Sequence, residues 1–226
     1  MMKDKKYCHS KRLSRHAELV SASIIGFTLI LLSLFVSCTT EVTLAVQADN
    51  SVKINFEGGA GDAFTKMISS ASGVSGAASL DSIVDADAVS FELAKAGFAD
   101  VEVNQKKGGA VLISMRDKKQ SSYIFTSGIV KAEKGKLTAQ IKRKSLEDFY
   151  NSADEQTRAT LDLFLAPVFN NEYMSEEEYL EMLASFYGEA AAKEVSESVV
   201  KINLISKDGS KEVIKMPLTQ VFCGIF

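Results

Sequence analysis

Apolar and polar residues alternate in several separate stretches of the chain. Val42, Leu44 and Val46 are spaced by polar or small residues, as are Val52, Ile54 and Phe56, and Ala48-Asp49-Asn50 between them is turn chemistry. A period of two on both sides of a turn predicts a β-hairpin. Val101 and Val103, then Val111, Ile113 and Met115, repeat the pattern around a turn at 105–109. Three more strand-like segments follow at 123–126, 129–133 and 136–144, the last two joined by Lys134-Gly135. In the third, Leu137, Ala139 and Ile141 are expected to face the core, opposite Lys136, Thr138, Gln140 and Lys142. Two closing strands, 199–206 and 212–218, meet through Lys207-Asp208-Gly209-Ser210, a strong hairpin signal.

Helical spacing fills the intervals. Asp62 is placed to cap a short helix carrying Phe64, Met67 and Ile68, and 69–79, almost all Ser, Ala and Gly, reads as a loop. From Asp85 or Asp87 to Ala96, the residues Val89, Leu93 and Ala96 share one face. Gly97 suits a left-handed stop there, and Phe98 can fold back on the last turn. Three capping signals, Ser145-x-x-Asp148, Ser152-x-x-Glu155 and Ser175-x-x-Glu178, announce later helices from Ser145 onward. Leu161, Phe164, Leu165 and Val168 form one stripe, cut short by Pro167. Tyr179, Met182, Leu183 and Phe186 form another, stopped near Gly188, and 189–196 continues as a short helix.

The expected order is β-β-α-α-β-β-β-β-β-α-α-β-β. Short turns between most strands imply antiparallel pairing. The pattern predicts an α+β fold, a mainly antiparallel sheet built from hairpins with helices packed on one face. Residues 38–226 suit one such domain, with sub-halves at 41–120 and 121–226.

The first 37 residues differ in character. Lys3, Lys5, Lys6, Lys11, Arg12 and Arg15 precede an apolar stretch at 24–35, broken only by Gly26, Thr28 and Ser33. This is the layout of a secretory signal. The run Leu34-Phe35-Val36-Ser37-Cys38 resembles the lipobox of bacterial lipoproteins, with Phe35 where Leu is commonest. The resemblance implies that 1–37 is a signal peptide removed by signal peptidase II. The domain would then be held to a membrane through lipidated Cys38, outside the cytoplasm in the cell envelope. Thr39 in place of the inner-membrane retention residue Asp leans toward an outer membrane where one exists. The competing reading is an uncleaved anchor, because 19–40 carries no charge over 22 residues and roughly 20 apolar residues span a bilayer. In both readings the basic end stays inside.

Reading from Cys38 restricts the chemistry. His9 and His16 precede it, and there is no Trp. Ser-His-Asp and Cys-His catalysis and His-ligated metal sites are therefore excluded downstream. Cys38 and Cys223 are the only cysteines from that point on. With lipid on Cys38, no intrachain disulfide is available to Cys223, which reads as a buried free thiol or as an intermolecular bridge. Gly58-Gly59-Ala60-Gly61 before a helix invites comparison with a phosphate loop, but the dinucleotide and Gly-Lys-Ser/Thr spacings are missing. Glu176-Glu177-Glu178 with Glu181 reads as a helix start complementing the macrodipole. No catalytic residue, metal ligand or cofactor is singled out. A non-enzyme is expected, with a histidine-free hydrolase as the third choice.

Charge is segregated. Residues 38–103 hold 3 basic and 10 acidic groups, 104–144 hold 11 and 2, and 145–210 hold 4 and 14. Within the basic segment, Lys131, Lys134, Lys136, Lys142, Arg143 and Lys144 form a candidate basic surface. It could face the acidic helices of its own chain, anionic lipid, or an acidic envelope partner. Each Lys or Arg near anionic lipid contributes on the order of 1 kcal/mol. Little aromatic interleaving argues against nucleic acid.

Phe164, Tyr179, Met182 and Phe186 read as helix core, or alternatively as an apolar groove for a lipid or partner helix. The short early strands, helix, hairpins and lipid anchor also resemble LppM-type envelope lipoprotein domains, which implies lipid binding. The expected function is non-catalytic binding or scaffolding at the membrane surface. The alternative is a carrier or sensor of a lipid-like ligand.

Overall fold

The computed structural model describes residues 39–59, 61–63, 65–66, 85–106, 110–152, 158, 162 and 174–224. The segment 1–38, the Ser/Ala/Gly-rich stretch 69–79, and the stripe of Leu161, Phe164, Leu165 and Val168 lie outside them.

Strands β1 (Thr39–Val46) and β2 (Val52–Gly59) form the opening hairpin. Helix α1 (Ala86–Lys95) leads into the hairpin of β3 (Ala99–Gln105) and β4 (Ala110–Asp117). A four-residue helix α2 (Tyr123–Thr126) precedes the small hairpin of β5 (Val130–Glu133) and β6 (Lys136–Ala139). Then come α3 (Arg143–Ser152), α4 (Glu176–Tyr187) and α5 (Glu189–Ser196). Strands β7 (Val199–Ile205) and β8 (Lys211–Pro217) and helix α6 (Leu218–Cys223) close the chain.

Six strands make one sheet in the order β3-β4-β2-β1-β7-β8, and β5-β6 form a second. Every pairing is antiparallel except β1 with β7, where Thr40 stands beside Val200 and Leu44 beside Leu204. Cross-strand partners point to the same face. Register therefore puts Leu44, Ile54, Phe56, Ile113, Met115, Val200 and Leu204 on one side. All are buried, in one core with Val89, Leu93, Leu146, Phe149, Tyr179, Leu183, Val195 and Phe222 of the helices. The opposite side carries Thr43, Lys53, Asn55, Ser114, Lys201 and Asn203. There Glu41 accepts from Lys201 Nζ at 2.9 Å and Asn203 Nδ2 at 2.7 Å. These two hydrogen bonds hold the Glu41 carboxyl below its ordinary range. The fold is α+β, with helices on the apolar face of a mainly antiparallel sheet.

Local punctuation explains the elements that follow expectation. Asp85 caps α1 by accepting from the amides of Asp87 and Ala88. Gly97 at φ 96° then lets Phe98 N–H reach Leu93 O, a left-handed helix stop. Ser175 and Glu178 form a reciprocal capping box on α4.

Three expectations are corrected. Residues 123–126 are a helical turn, not a strand. Asp117 is buried and accepts from the amides of Lys119, Ser121 and Ser122, which curls the chain into the turn. Strand β6 ends at Ala139 and α3 starts at Arg143, so Ser145 sits inside the helix instead of capping it. Its own amide bonds Lys142 O, and Leu146 and Phe149, one turn apart, enter the core. The tail from Leu218 is a helix whose Leu218, Val221 and Phe222 are buried.

Candidate functional site

The basic residues singled out by sequence divide between two places. Arg143 pairs with Glu147 at 3.1 Å and Lys144 with Asp148 at 2.8 Å, both within α3. Hydrogen bonding to Asp148 raises the Lys144 pKa. Lys131, Lys134, Lys136 and Lys142 are exposed and make no ion pair among the described residues. Lys134 and Lys136 stand at the tip of the β5–β6 hairpin. Lys142 stands at the other end, where β6 passes into α3.

The apolar candidates do not form a groove together among the described residues. Tyr179 is fully buried, its ring tilted against Phe222 with centroids 5.7 Å apart. Burial holds its hydroxyl pKa well above the usual value. Met182 is partly buried against the core. Phe186, two turns beyond Tyr179 on the same stripe, is 75% exposed and touches Tyr187. Phe164 lies outside the described residues.

A different groove is present. It measures about 490 Å³ and lies over the apolar face of the outermost hairpin, floored by Val200 and Ile202 of β7, Ile214 and Met216 of β8, and Val221 of α6. Ala139, Gln140 and Ile141 form one wall, and Lys142 and Arg143 stand at its lip. The floor belongs to one end of the sheet: Val200 pairs with Thr40 and Met216, and Ile202 with Val42 and Ile214. Hence an apolar trough with two cations at its rim lies at the level where β1 begins. The sequence places Val200, Ile202, Ile214 and Met216 in the two closing strands. Nothing in their alternation marks them as lining, because that status comes from their place at the sheet's edge and from the path of 139–143 over them.

A second groove of about 540 Å³ runs between α4 and α5. Glu181, Glu189, Lys193, Ser185 and Ser196 line much of it, so it lacks a continuous apolar floor.

The glycine loop already has its anion. Ala63 N–H donates to Glu194 Oε2 at 3.2 Å, and a Cβ on Gly61 would collide with Glu194 Oε1. Gly61 O accepts from Thr65 N–H, so the turn starts at Gly61 and Asp62 is its first helical residue instead of the expected cap. The loop's glycine makes room for a carboxylate of α5. Glu176 of the acidic helix start bonds Thr219 Oγ1. The Cys223 thiol is a half-buried free cysteine near Ser175 O, pushed up to about 11 by burial and by the Glu176 carboxylate.

Among the described residues no group of three or more His, Cys, Asp or Glu is placed to hold a metal. None of the described helices is long and apolar enough to cross a membrane. No protein-family model, curated protein or solved structure matches this chain.

Proposed function

We propose that the chain is a lipid-anchored, non-catalytic binding domain of the cell envelope. Its ligand is an amphiphile with an apolar chain and an anionic head, taken into the groove beside β7 and β8. The observation that carries this reading is positional. Strand β1 starts at Thr39, directly after the lipobox-like Cys38. The groove floor sits at that same end, one strand over, at the level of Thr40 and Val42. A lipid on Cys38 would hold this end of the sheet against the membrane with no intervening linker.

Chemistry supports the ligand class. Apolar burial is worth roughly 25 cal/mol per Å², which favours a hydrocarbon chain over Ile202, Ile214 and Met216. Lys142 at the lip would contribute on the order of 1 kcal/mol toward an anionic head, beside Arg143, whose guanidinium is held by Glu147. A strand rises about 3.3 Å per residue, so the floor from Val200 to Ile202 is about 7 Å long, room for part of a hydrocarbon chain. The faint likeness to LppM-type domains points the same way.

The test is native mass spectrometry of the full chain, extracted in mild detergent from the membranes of a bacterial host. A retained single-chain anionic amphiphile is expected, and its loss on Lys142→Glu/Arg143→Glu. A protein that retains no lipid-like mass overturns the groove reading.

A further inference from the structure

We propose that the groove beside β7 and β8 is also the dock of the protein's own anchor: off the membrane, one acyl chain of the lipid on Cys38 lies in it. This inference rests on anchoring at Cys38. It makes the groove available to another amphiphile once the anchor has entered a bilayer.

The sheet puts anchor and groove within reach of each other. Cys38 is one peptide from Thr39, a step of about 3.8 Å. Thr39 stands beside Val199 of β7, and Val199 beside Pro217 of β8. The floor begins one residue further along each strand, at Val200 and Met216, and extends to Ile202 and Ile214. With strands about 4.8 Å apart and a rise of about 3.3 Å per residue, the middle of the floor lies about 10 Å from Thr39. One acyl chain spans half of a hydrocarbon core about 30 Å thick, or about 15 Å. The cysteine side chain and its linkage to the lipid add to that. The chain is therefore long enough to lie over the whole floor.

The two sides of the sheet differ at this end. Past Val199 and Pro217, the open side carries a charged row in which Glu41 stands beside Lys201 and Lys201 beside Lys215. The groove's side continues apolar, from Val200 and Met216 to Ile202 and Ile214, with Val221 of α6 against it. Of these two sides, an acyl chain leaving Cys38 finds a continuous apolar bed on the groove's side.

Tethering selects this occupant over a free one. A group held by a short linker competes at an effective concentration in the millimolar range. A free amphiphile displaces it through a contact that the anchor chain lacks, an anionic head against Lys142 at the lip. A bilayer competes in another way. It surrounds an acyl chain completely, whereas the groove covers part of it, and the hydrophobic gain follows the area removed from water. The anchor chain therefore leaves the groove on insertion and returns to it when the protein is off the membrane.

The test labels the anchor. The full chain is produced in a bacterial host fed a fatty acid that carries a photoreactive diazirine. It is irradiated at high dilution in detergent below micelle formation, and again after reconstitution into phosphatidylglycerol vesicles. In the dilute sample, peptide mapping should find the anchor crosslinked within its own chain to the segments of Val200 and Ile202 and of Ile214 and Met216. The yield should fall at least about tenfold in vesicles, and at least about fivefold in the dilute sample with saturating oleate. A yield that neither vesicles nor oleate lowers overturns the proposal, as do crosslinks to an isotopically heavy, unlabelled copy mixed in beforehand. The mass of the N-terminal peptide reads the anchor separately. An unacylated Cys38 overturns the anchoring and this inference together, whereas an acylated Cys38 that marks neither segment overturns this inference alone.

Discussion

Thr40 and Val200 lie side by side in the one parallel strand pair of the sheet, 160 positions apart in the chain. That contact binds the first strand to the last hairpin and sets the groove floor beside the point where the lipid anchor is proposed. The distance between anchor and groove is therefore functional in this account. Inserting about 20 Gly and Ser residues between Cys38 and Thr39 gives a tether of about 25 Å reach. The thermal midpoint should be unchanged, while uptake of amphiphile from vesicles should slow severalfold. Unaltered uptake would separate the groove from the membrane.

Glu194 and Gly61 offer a test of the glycine loop. The Ala63 amide to Glu194 carboxylate bond is charge-assisted, a class worth about 1.5–3 kcal/mol. Gly61→Ala pushes the carboxylate away and should cost about 1–2 kcal/mol in urea unfolding. Glu194→Gln, which keeps an acceptor, should cost less. If added phosphate stabilised the wild-type protein, the loop would be an open anion site and not the filled one seen here.

The late-helix stripe separates core from surface. Tyr179→Ala should destabilise by about 3–5 kcal/mol, the range for emptying a large aromatic site, given its full burial against Phe222. Phe186→Ala, at an exposed site, should change stability by under about 0.5 kcal/mol. Denaturant melts of the two variants decide whether the stripe acts as one unit.

Sequence and structure diverge for physical reasons visible at particular residues. Helix α1 was legible because Asp85, Gly97 and Phe98 fix both its ends, and α4 because Ser175 and Glu178 cap it reciprocally. The hairpins were legible because period two and turn residues coincide. Tyr123-Ile124-Phe125 is a short apolar run with no period of its own, and such runs do not distinguish strand from helix. Its conformation is decided by the buried Asp117 carboxylate upstream. The groove was not legible at all, since β7, β8 and 139–143 meet only through tertiary contact. Of the basic set chosen from sequence, the structure keeps Lys142 and Arg143 beside the groove, sends Lys134 and Lys136 to the opposite end, and engages Arg143 with Glu147 and Lys144 with Asp148.

Cys223 gives a pH prediction. Its thiol, pushed to about 11 from an ordinary value of 9.0, is neutral at pH 8 in the folded protein. A folded pKa raised above the unfolded one means that the thiol's contribution is complete below pH 9. It is then lost as pH climbs from 9 through 11. Peptide mapping after iodoacetamide at pH 8 should show Cys223 modified roughly a hundredfold more slowly in the native chain than in urea, as its thiolate fraction falls. Equal rates would place the thiol in open solvent.

The most direct measurement of the central claim is a titration of the full chain in detergent with a fluorescent fatty acid and with the corresponding uncharged alcohol. The account predicts saturable binding of both through the apolar floor of Val200, Ile202, Ile214 and Met216. The acid should bind about fivefold more tightly, and that preference should vanish in Lys142→Glu/Arg143→Glu. Absence of saturable binding, or an acid preference that survives the double substitution, would contradict it.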